Sequence, residues 1–568
     1  MTRVEKKIRP VPIGVENFED MIKKGYYYVD KTLLIQGLLD GGGEVNVFTR
    51  PRRFGKSLNI SMLEHYFGIH KKDSAPIFEG LNIMQVGEKY LAHQNKYPVV
   101  KMTLKGVEST SFASAFKLFK YEIMEEFVRY RYVLENPKLD EKDKLLAQRF
   151  FNDEADVEDY KNSLRFLTRC LHKYYNEKVI ILIDEYDVPL EKAYFAKNSY
   201  YDEMVDFLRK FYGNALKTND SLNFAVITGC LRVSKESIFT GVNNLNIMSI
   251  VDNTYGEYFG FTEPEVELML ESYNLTNKLD EMREWYNGYK FGETTVCNPW
   301  SSIRYLYDKA YGNADYPRPH WSNTSSNSII RDLIAVADDE ARDEIEHLIK
   351  GGTITKPIYE DIVYADIMKN MGNLWNFLFF TGYLKKVSKQ QIGVENHIEL
   401  GIPNKEILYI YIRQIREWFE ERTVAKNMAS LYNAVFSQDV EHLEDAITEL
   451  LRQSISYMDS YENFYHGFLV GVLHGVDGYR VVSNRETGNG RSDVMLRPHT
   501  RRKPAVVIEV KVSKKRGDLV KDSEKALTQI VKKNYQQEFE EEGYEKVIKY
   551  GISFYRKDCA VATEKAEF

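Results

Sequence analysis

Two groups of residues in this sequence have the types and spacing to handle phosphate. The first lies in FTRPRRFGKSLN, residues 48–59, where Gly55, Lys56 and Ser57 close a loop of the form G-x-x-x-x-G-K-[ST] and Arg50 stands where the first glycine belongs. Such a loop works because backbone N–H groups and a helix N-terminus converge on phosphate oxygens while the lysine adds charge. The first glycine mainly permits a turn, so its loss is a defect that other geometry can absorb. A matching piece is VIILIDEYD, 179–187, an apolar run that ends in Asp184 and Glu185. An acid closing such a strand helps hold magnesium beside the loop serine, and its neighbour can polarise an attacking water. Alone the run reads as a buried strand ending in solvated acids; together with the loop, in this order, the functional reading is favoured. In NFAVITGCLRVSKESIF, Thr228 and Arg232 follow another apolar run, where either a terminal-phosphate sensor or a plain cap could sit.

The second group lies in GNGRSDVMLRPHTRRKPAVVIEVKVS, residues 488–513. Asp493 opens one apolar run, and Glu509 and Lys511 lie on the next, giving D-x15-E-x-K. Side chains two apart on a strand share a face, so Glu509 and Lys511 converge while Val510 turns away. If the two runs pair as a hairpin, Asp493 joins them near one strand end. Two carboxylates suit a hard cation such as Mg²⁺ or Mn²⁺. That cation would activate a water against a phosphodiester, with the lysine orienting it or stabilising developing charge. An E-x-K on an exposed strand is usually an ion pair, but apolar neighbours on both sides argue against a decorative one.

The elements that must position these groups follow from pattern. Residues 1–255 alternate compact β-branched runs (VNVFT, YPVVKMTL, VIILIDEYD, NFAVITG) with amphipathic stretches, which suits parallel strands with crossover helices. Residues 256–405 are mainly helical, starting with FTEPEVELMLESY, and end in a hairpin-like alternation at 384–404, which suits a lid or winged-helix-like module. From 406 to 568, helices lead into a strand-rich segment, a second α/β domain.

A length of 568 residues implies several domains. With 43% hydrophobic and 28% charged residues the composition is that of a soluble globular protein. The net charge of −7 excludes a globally basic coat for nucleic acid but leaves room for a local basic groove. Four scattered cysteines give no disulfide or zinc framework and fit a reducing cytoplasm. The N-terminus shows no secretory pattern, and no apolar run approaches the roughly 18 residues of a membrane span. The expectation is a cytoplasmic protein without a membrane partner.

Residues from about 8 to 260, with PIGVENFEDMIKKGYYYVDKTLLI, TRPRRFGKSL, IILIDEYD and TGCLRVSKESIF, resemble a bacterial family with an AAA-ATPase-like domain, commonly joined to a C-terminal PD-(D/E)XK nuclease-like domain. That family's loop is itself arginine-rich. The resemblance implies a multidomain α/β protein: a P-loop NTPase parallel sheet with flanking helices, a helical or winged-helix-like middle segment, and a restriction-endonuclease-like α/β domain. It implies ATP binding by Lys56 and Ser57, magnesium at Ser57 and Asp184, water activation by Glu185 and a sensor at Arg232. Arg52, Arg53, Phe54, Gly55 and Thr228 complete the candidate ATP-binding set. Arg52 and Arg53 would touch phosphate or a neighbouring subunit, or simply be solvated. In the nuclease-like part it implies Asp493, Glu509 and Lys511 as catalytic, Gln529 in KALTQIVKKNY as support, and Glu462 in YENFYHGFLVGVLHG as a further metal ligand or a surface acid. The expected activity is an ATPase coupled to a metal-dependent nuclease acting on DNA more than RNA, with a homo-oligomer and a role in defence against foreign nucleic acid as further expectations. The alternative is a nucleotide-switched binding protein with an inactive nuclease-like domain. A third option is a nuclease that binds nucleotide only structurally.

Overall fold

A computed structural model describes residues 9–232, 238–239, 241–312, 316–321, 330, 339–360, 364, 371–392, 395–423, 428–454, 462–487 and 490–564. They fall into two compact units, one within Met1–Trp321 and Thr353–Ile407, the other within Ser322–Gly352 and Leu408–Phe568.

The first unit is built on β1 (Val45–Thr49), β2 (Val99–Thr103), β3 (Val179–Asp184), β4 (Leu222–Gly229) and β5 (Leu245–Met248), which form a parallel sheet in the order β2-β3-β4-β1-β5 among the described residues. Every residue of β1 and β3 is buried, as expected for strands covered on both faces. The order places β4 between β1 and β3, so the loop after β1, the acids Asp184 and Glu185 where β3 ends and Thr228 on β4 meet at the carboxyl end of the central strands. This is where ligands bind in open parallel sheets, beyond the carboxyl ends of the strands.

The helix Lys56–Phe67 follows the loop after β1. The helix Glu263–Ser272 starts as its sequence predicts: Pro264 lies in the first turn, and Thr262 and Glu265 form a capping box. The middle segment is helical, and it also contains two small antiparallel sheets among the described residues. One joins β6 (Phe261–Thr262), β8 (Thr294–Cys297) and β7 (Tyr289–Phe291) in that order, and the hairpin of β10 (Lys385–Ile392) and β11 (Glu395–Gly401) is extended by β9 (Ile354–Pro357). The parts of this segment within 256–321 and 353–407 belong to the same compact unit as the parallel sheet.

In the second unit, β12 (Tyr479–Thr487), β13 (Gly490–Pro498), β14 (Ala505–Val512), β15 (Val547–Tyr555) and β16 (Asp558–Thr563) lie in sequence order in one sheet. All neighbours are antiparallel except β14 and β15, which are connected through the helix Leu519–Lys533. That helix buries Leu519, Ser523, Ala526 and Ile530, a regular apolar stripe. The helix Glu462–Leu473 precedes the sheet.

Candidate nucleotide and nuclease sites

Arg50 sets the shape of the phosphate loop. Its backbone N–H continues the ladder by donating to Gly229 O at 3.0 Å, and its guanidinium turns inward, fully buried. Nη1 donates to Thr49 O at 2.9 Å and Met248 O at 2.8 Å, while Phe259 and Phe291 flank the group with ring centroids 5.2 Å away. Burial pulls its pKa down to about 10. The arginine in the first-glycine position thus ties β1 to β5 and does not face the loop's concavity. The turn freedom appears instead at Arg53 and Gly55, with φ of 68° and 83°. Glycine adopts this region without steric cost, whereas Arg53 carries strain of about 1–3 kcal/mol, offset by its stacking on Trp300 at 4.2 Å.

Around the loop, residues distant in sequence converge. Ser57 Oγ donates to Asp184 Oδ2 at 2.6 Å, and Thr228 Oγ1 donates to Asp184 Oδ1 at 2.5 Å. Lys56 Nζ donates to the carbonyls of Arg50 and Pro51, each at 3.1 Å, and lies 3.5 Å from Glu185 Oε1. Burial and the charge of Glu185 raise the pKa of Asp184. Glu185 itself takes φ of 55°, which swings its carboxylate off the strand line toward Lys56. The N–H groups of Phe54 and Gly55 donate to no other group among the described residues. Free loop amides, a lysine, two hydroxyls and a buried carboxylate fit a nucleotide phosphate with a hard cation.

Other members of the candidate set face elsewhere. Arg52 pairs with Glu191 at 2.5 Å. Phe54 is fully buried against Tyr289 and Phe291, so its only available contribution to a phosphate is its backbone N–H. Arg232 donates to Glu360 Oε2 at 2.9 Å, and Ser249 Oγ donates to the same oxygen at 3.1 Å. The stretch 233–237 lies outside the described residues. Asp187, the last acid of IDEYD, carried no role in the sequence-based set, yet it is buried beside this site. Its Oδ2 accepts the N–H groups of Cys230 and Leu231, both at 2.9 Å, and the hydroxyl of Tyr364 at 3.3 Å.

In the second unit β13 and β14 pair antiparallel, Val494 opposite Ile508. Asp493 and Glu509 are one step further along, on a common face. Asp493 Oδ2 accepts Val510 N–H at 2.8 Å, and burial raises its pKa against the opposing pull of that bond and of Lys511. Gln529 bridges the other two residues: its Nε2 donates to Glu509 Oε1, and its Oε1 accepts Lys511 Nζ at 2.9 Å. Glu509 is 3% exposed, so this bridge orients a carboxylate that is almost wholly buried. The side chain of Glu462 lies outside the described residues. Two further groups address the site without a signal in the sequence pattern. His466 Nε2 is 2.6 Å from Asp493 O, tying the helix Glu462–Leu473 to β13, and the buried Tyr535 phenol lies in the field of Gln529, Glu509 and Asp493. No group of three or more His, Cys, Asp or Glu side chains able to hold a metal occurs among the described residues. The described donors for a hard cation are therefore Asp493 and Glu509, whose oxygens suit Mg²⁺ or Mn²⁺ in kind.

No helix among the described residues is long and apolar enough to cross a membrane. A protein of Azotobacter chroococcum mcd 1, described as an uncharacterized protein in the vnfD 5' region, is 26% identical over 509 residues, covering 86% of this chain and 87% of its own length. Residues 12–239 match a family model described as a predicted AAA-ATPase, and residues 460–564 match the PD-(D/E)XK nuclease superfamily. These spans contain the two constellations just described, and the chain therefore joins an AAA-ATPase-like domain to a C-terminal PD-(D/E)XK nuclease superfamily domain.

Proposed function

We propose that the protein hydrolyses ATP at the loop site and cleaves phosphodiester bonds of nucleic acid, DNA more than RNA, at the Asp493–Glu509–Lys511 face. The observation that supports this best is common to both units: a lysine and oriented carboxylates from separate segments meet at the end of a buried strand. In the first unit, Lys56 and the loop amides bind and orient the phosphates. Ser57 and Asp184 would hold the magnesium, Thr228 fixes the Asp184 carboxylate, and Glu185 accepts a proton from the attacking water. Arg232, once released from Glu360, reaches the terminal phosphate. In the second unit, Asp493 and Glu509 would hold Mg²⁺ or Mn²⁺, which when bound supplies Lewis acidity to the scissile phosphate. Lys511, held by Gln529, orients the water and offsets developing charge. The basic RRK and SKKRGD stretches beside this unit's strands offer sequence-independent phosphate contacts. We place the protein in the cytoplasm, in defence against foreign nucleic acid, and leave room for a homo-oligomer.

The test is cleavage of single- and double-stranded DNA and RNA by wild type and Lys511→Ala, with Mg²⁺ or Mn²⁺, with and without ATP. Cutting by wild type and not by the variant is the expected result. No cutting under any condition, with ATP hydrolysis intact, would overturn the nuclease assignment in favour of a nucleotide-switched binder.

A further inference from the structure

We infer that Asp187 is a positioning residue of the ATP site, holding the segment Cys230–Arg232 in register with the acids that close β3. The inference rests on the ATPase proposal above and adds to it a residue that acts only through others. Three observations carry it. First, Asp187 is 1% exposed, and one of its oxygens takes two successive amides, Cys230 and Leu231, immediately after β4. Second, those amides lie between Thr228, which is hydrogen-bonded to Asp184, and Arg232, the candidate sensor. One carboxylate on the β3 turn therefore sets where both groups on the β4 side stand. Third, the space for it is made by a glycine: a Cβ on Gly229 would lie 2.7 Å from Asp187 Oδ1 and 2.4 Å from the Tyr186 ring. The Tyr364 hydroxyl donates to the same Oδ2, while Oδ1 has no hydrogen-bond partner among the described residues.

A structural carboxylate with this burial would ordinarily have both oxygens satisfied, since an unpaired buried oxygen is costly. Asp187 instead takes all three of its described bonds on one oxygen, two of them from the segment that must stay aligned with the phosphate. Its negative charge is not what the two amides require. Asparagine, with its carbonyl in the place of Oδ2, accepts the same pair of N–H groups, whereas alanine accepts none.

The experiment measures MgATP hydrolysis by the full chain as wild type, Asp187→Asn, Asp187→Ala and Lys56→Ala, with folding checked by circular dichroism and hydrogen exchange read at the amides of Cys230 and Leu231. Losing a residue that orients a reacting group costs roughly 10–100-fold in activity. Asp187→Ala is expected to lower kcat by that order with KM within about threefold, and to speed exchange at the two amides. Asp187→Asn is expected to restore kcat to within about fivefold of wild type with slow exchange at both amides. Lys56→Ala is expected to weaken nucleotide binding without faster exchange there. An Asp187→Ala protein with wild-type kcat, or an Asp187→Asn protein as defective as a folded Asp187→Ala, overturns the inference alone. If Asp187→Ala does not fold, Asp187→Asn decides it by the same two readouts. A wild type that binds but does not hydrolyse ATP overturns the ATPase proposal, and this inference with it.

Discussion

Lys56 has a buried ammonium held by two loop carbonyls and faced by Glu185. Burial works against its charge, but the neighbouring carboxylates, Glu185 and Asp184 among them, outweigh it and raise its pKa, so the residue meets a phosphate as a cation. A charge-assisted hydrogen bond of this kind contributes about 1.5–3 kcal/mol, so Lys56→Ala should weaken ATP binding roughly 10–100-fold, measured by titration calorimetry. Unchanged affinity would remove the lysine from the site. A second residue gives a pH signature. Glu406 is fully buried, accepting from Ser301 Oγ and Trp321 N–H, and burial pushes its pKa up to about 7 from an ordinary 4.5. Because the folded state holds this proton more tightly than the unfolded chain, the stabilisation is complete below about pH 4.5 and is lost as pH rises to about 7. The effect is at most about 3 kcal/mol. Glu406→Gln should flatten the decline in melting temperature across that window, and a slope equal to that of wild type would place the proton elsewhere.

At the scale of elements, the nuclease-like face depends on how closely a helix lies on a sheet. Gly551 on β15 is the ladder partner of Glu509, and a Cβ there would stand 2.1 Å from Ser523 O and 2.3 Å from Leu527 N. The backbone of the helix Leu519–Lys533 thus rests on a glycine, and that contact sets the height of Gln529 over Glu509 and Lys511. Gly551→Ala must lift the helix. Overpacking of this kind costs about 1–3 kcal/mol, and cleavage should fall further than stability alone would explain. Melting and nuclease rates of the purified variant test this; full activity would mean that Gln529 tolerates the displacement. The strands themselves were legible in the sequence, because VIILI is a continuous apolar run and VNVFT and AVVIEVKV are compact stretches rich in β-branched residues. The short strands Tyr289–Phe291 and Thr294–Cys297 were not, since three- and four-residue segments carry too little periodicity to stand out among helices. Strand order was equally hidden: nothing local in β4 states that it lies between β1 and β3. That Ser57 and Asp184 belong together followed from motif order and chemistry, whereas the bond of Thr228 to the same carboxylate did not. The inward turn of Arg50 and Phe54 did not, because a basic loop and a buried pillar have the same letters until their surroundings are known.

At the scale of the whole molecule, each of the two units holds one of the two described constellations, so each proposed activity can be removed without touching the other's residues. That separation gives the expected coupling of ATP to cleavage, which we propose here, a clean test. A nucleotide can change the nuclease rate only if it binds one conformational state better than another, and the change is limited by that difference in affinity. Coupling free energies of about 1–3 kcal/mol are usual, which correspond to about 5–150-fold in an equilibrium. ATP is therefore expected to change the cleavage rate of wild type by at least about fivefold, in either direction. Lys56→Ala should cleave at one rate whether or not ATP is present. Glu185→Gln, which keeps the loop but loses the base beside Asp184, should hold the ATP-bound rate long after wild type has consumed its nucleotide. These variants leave Asp493, Glu509, Lys511 and Gln529 intact, so a loss of ATP response in them cannot be a loss of cleavage chemistry. A wild-type nuclease rate indifferent to ATP, in a protein that hydrolyses ATP normally, would leave two independent activities on one chain and end the coupling proposal.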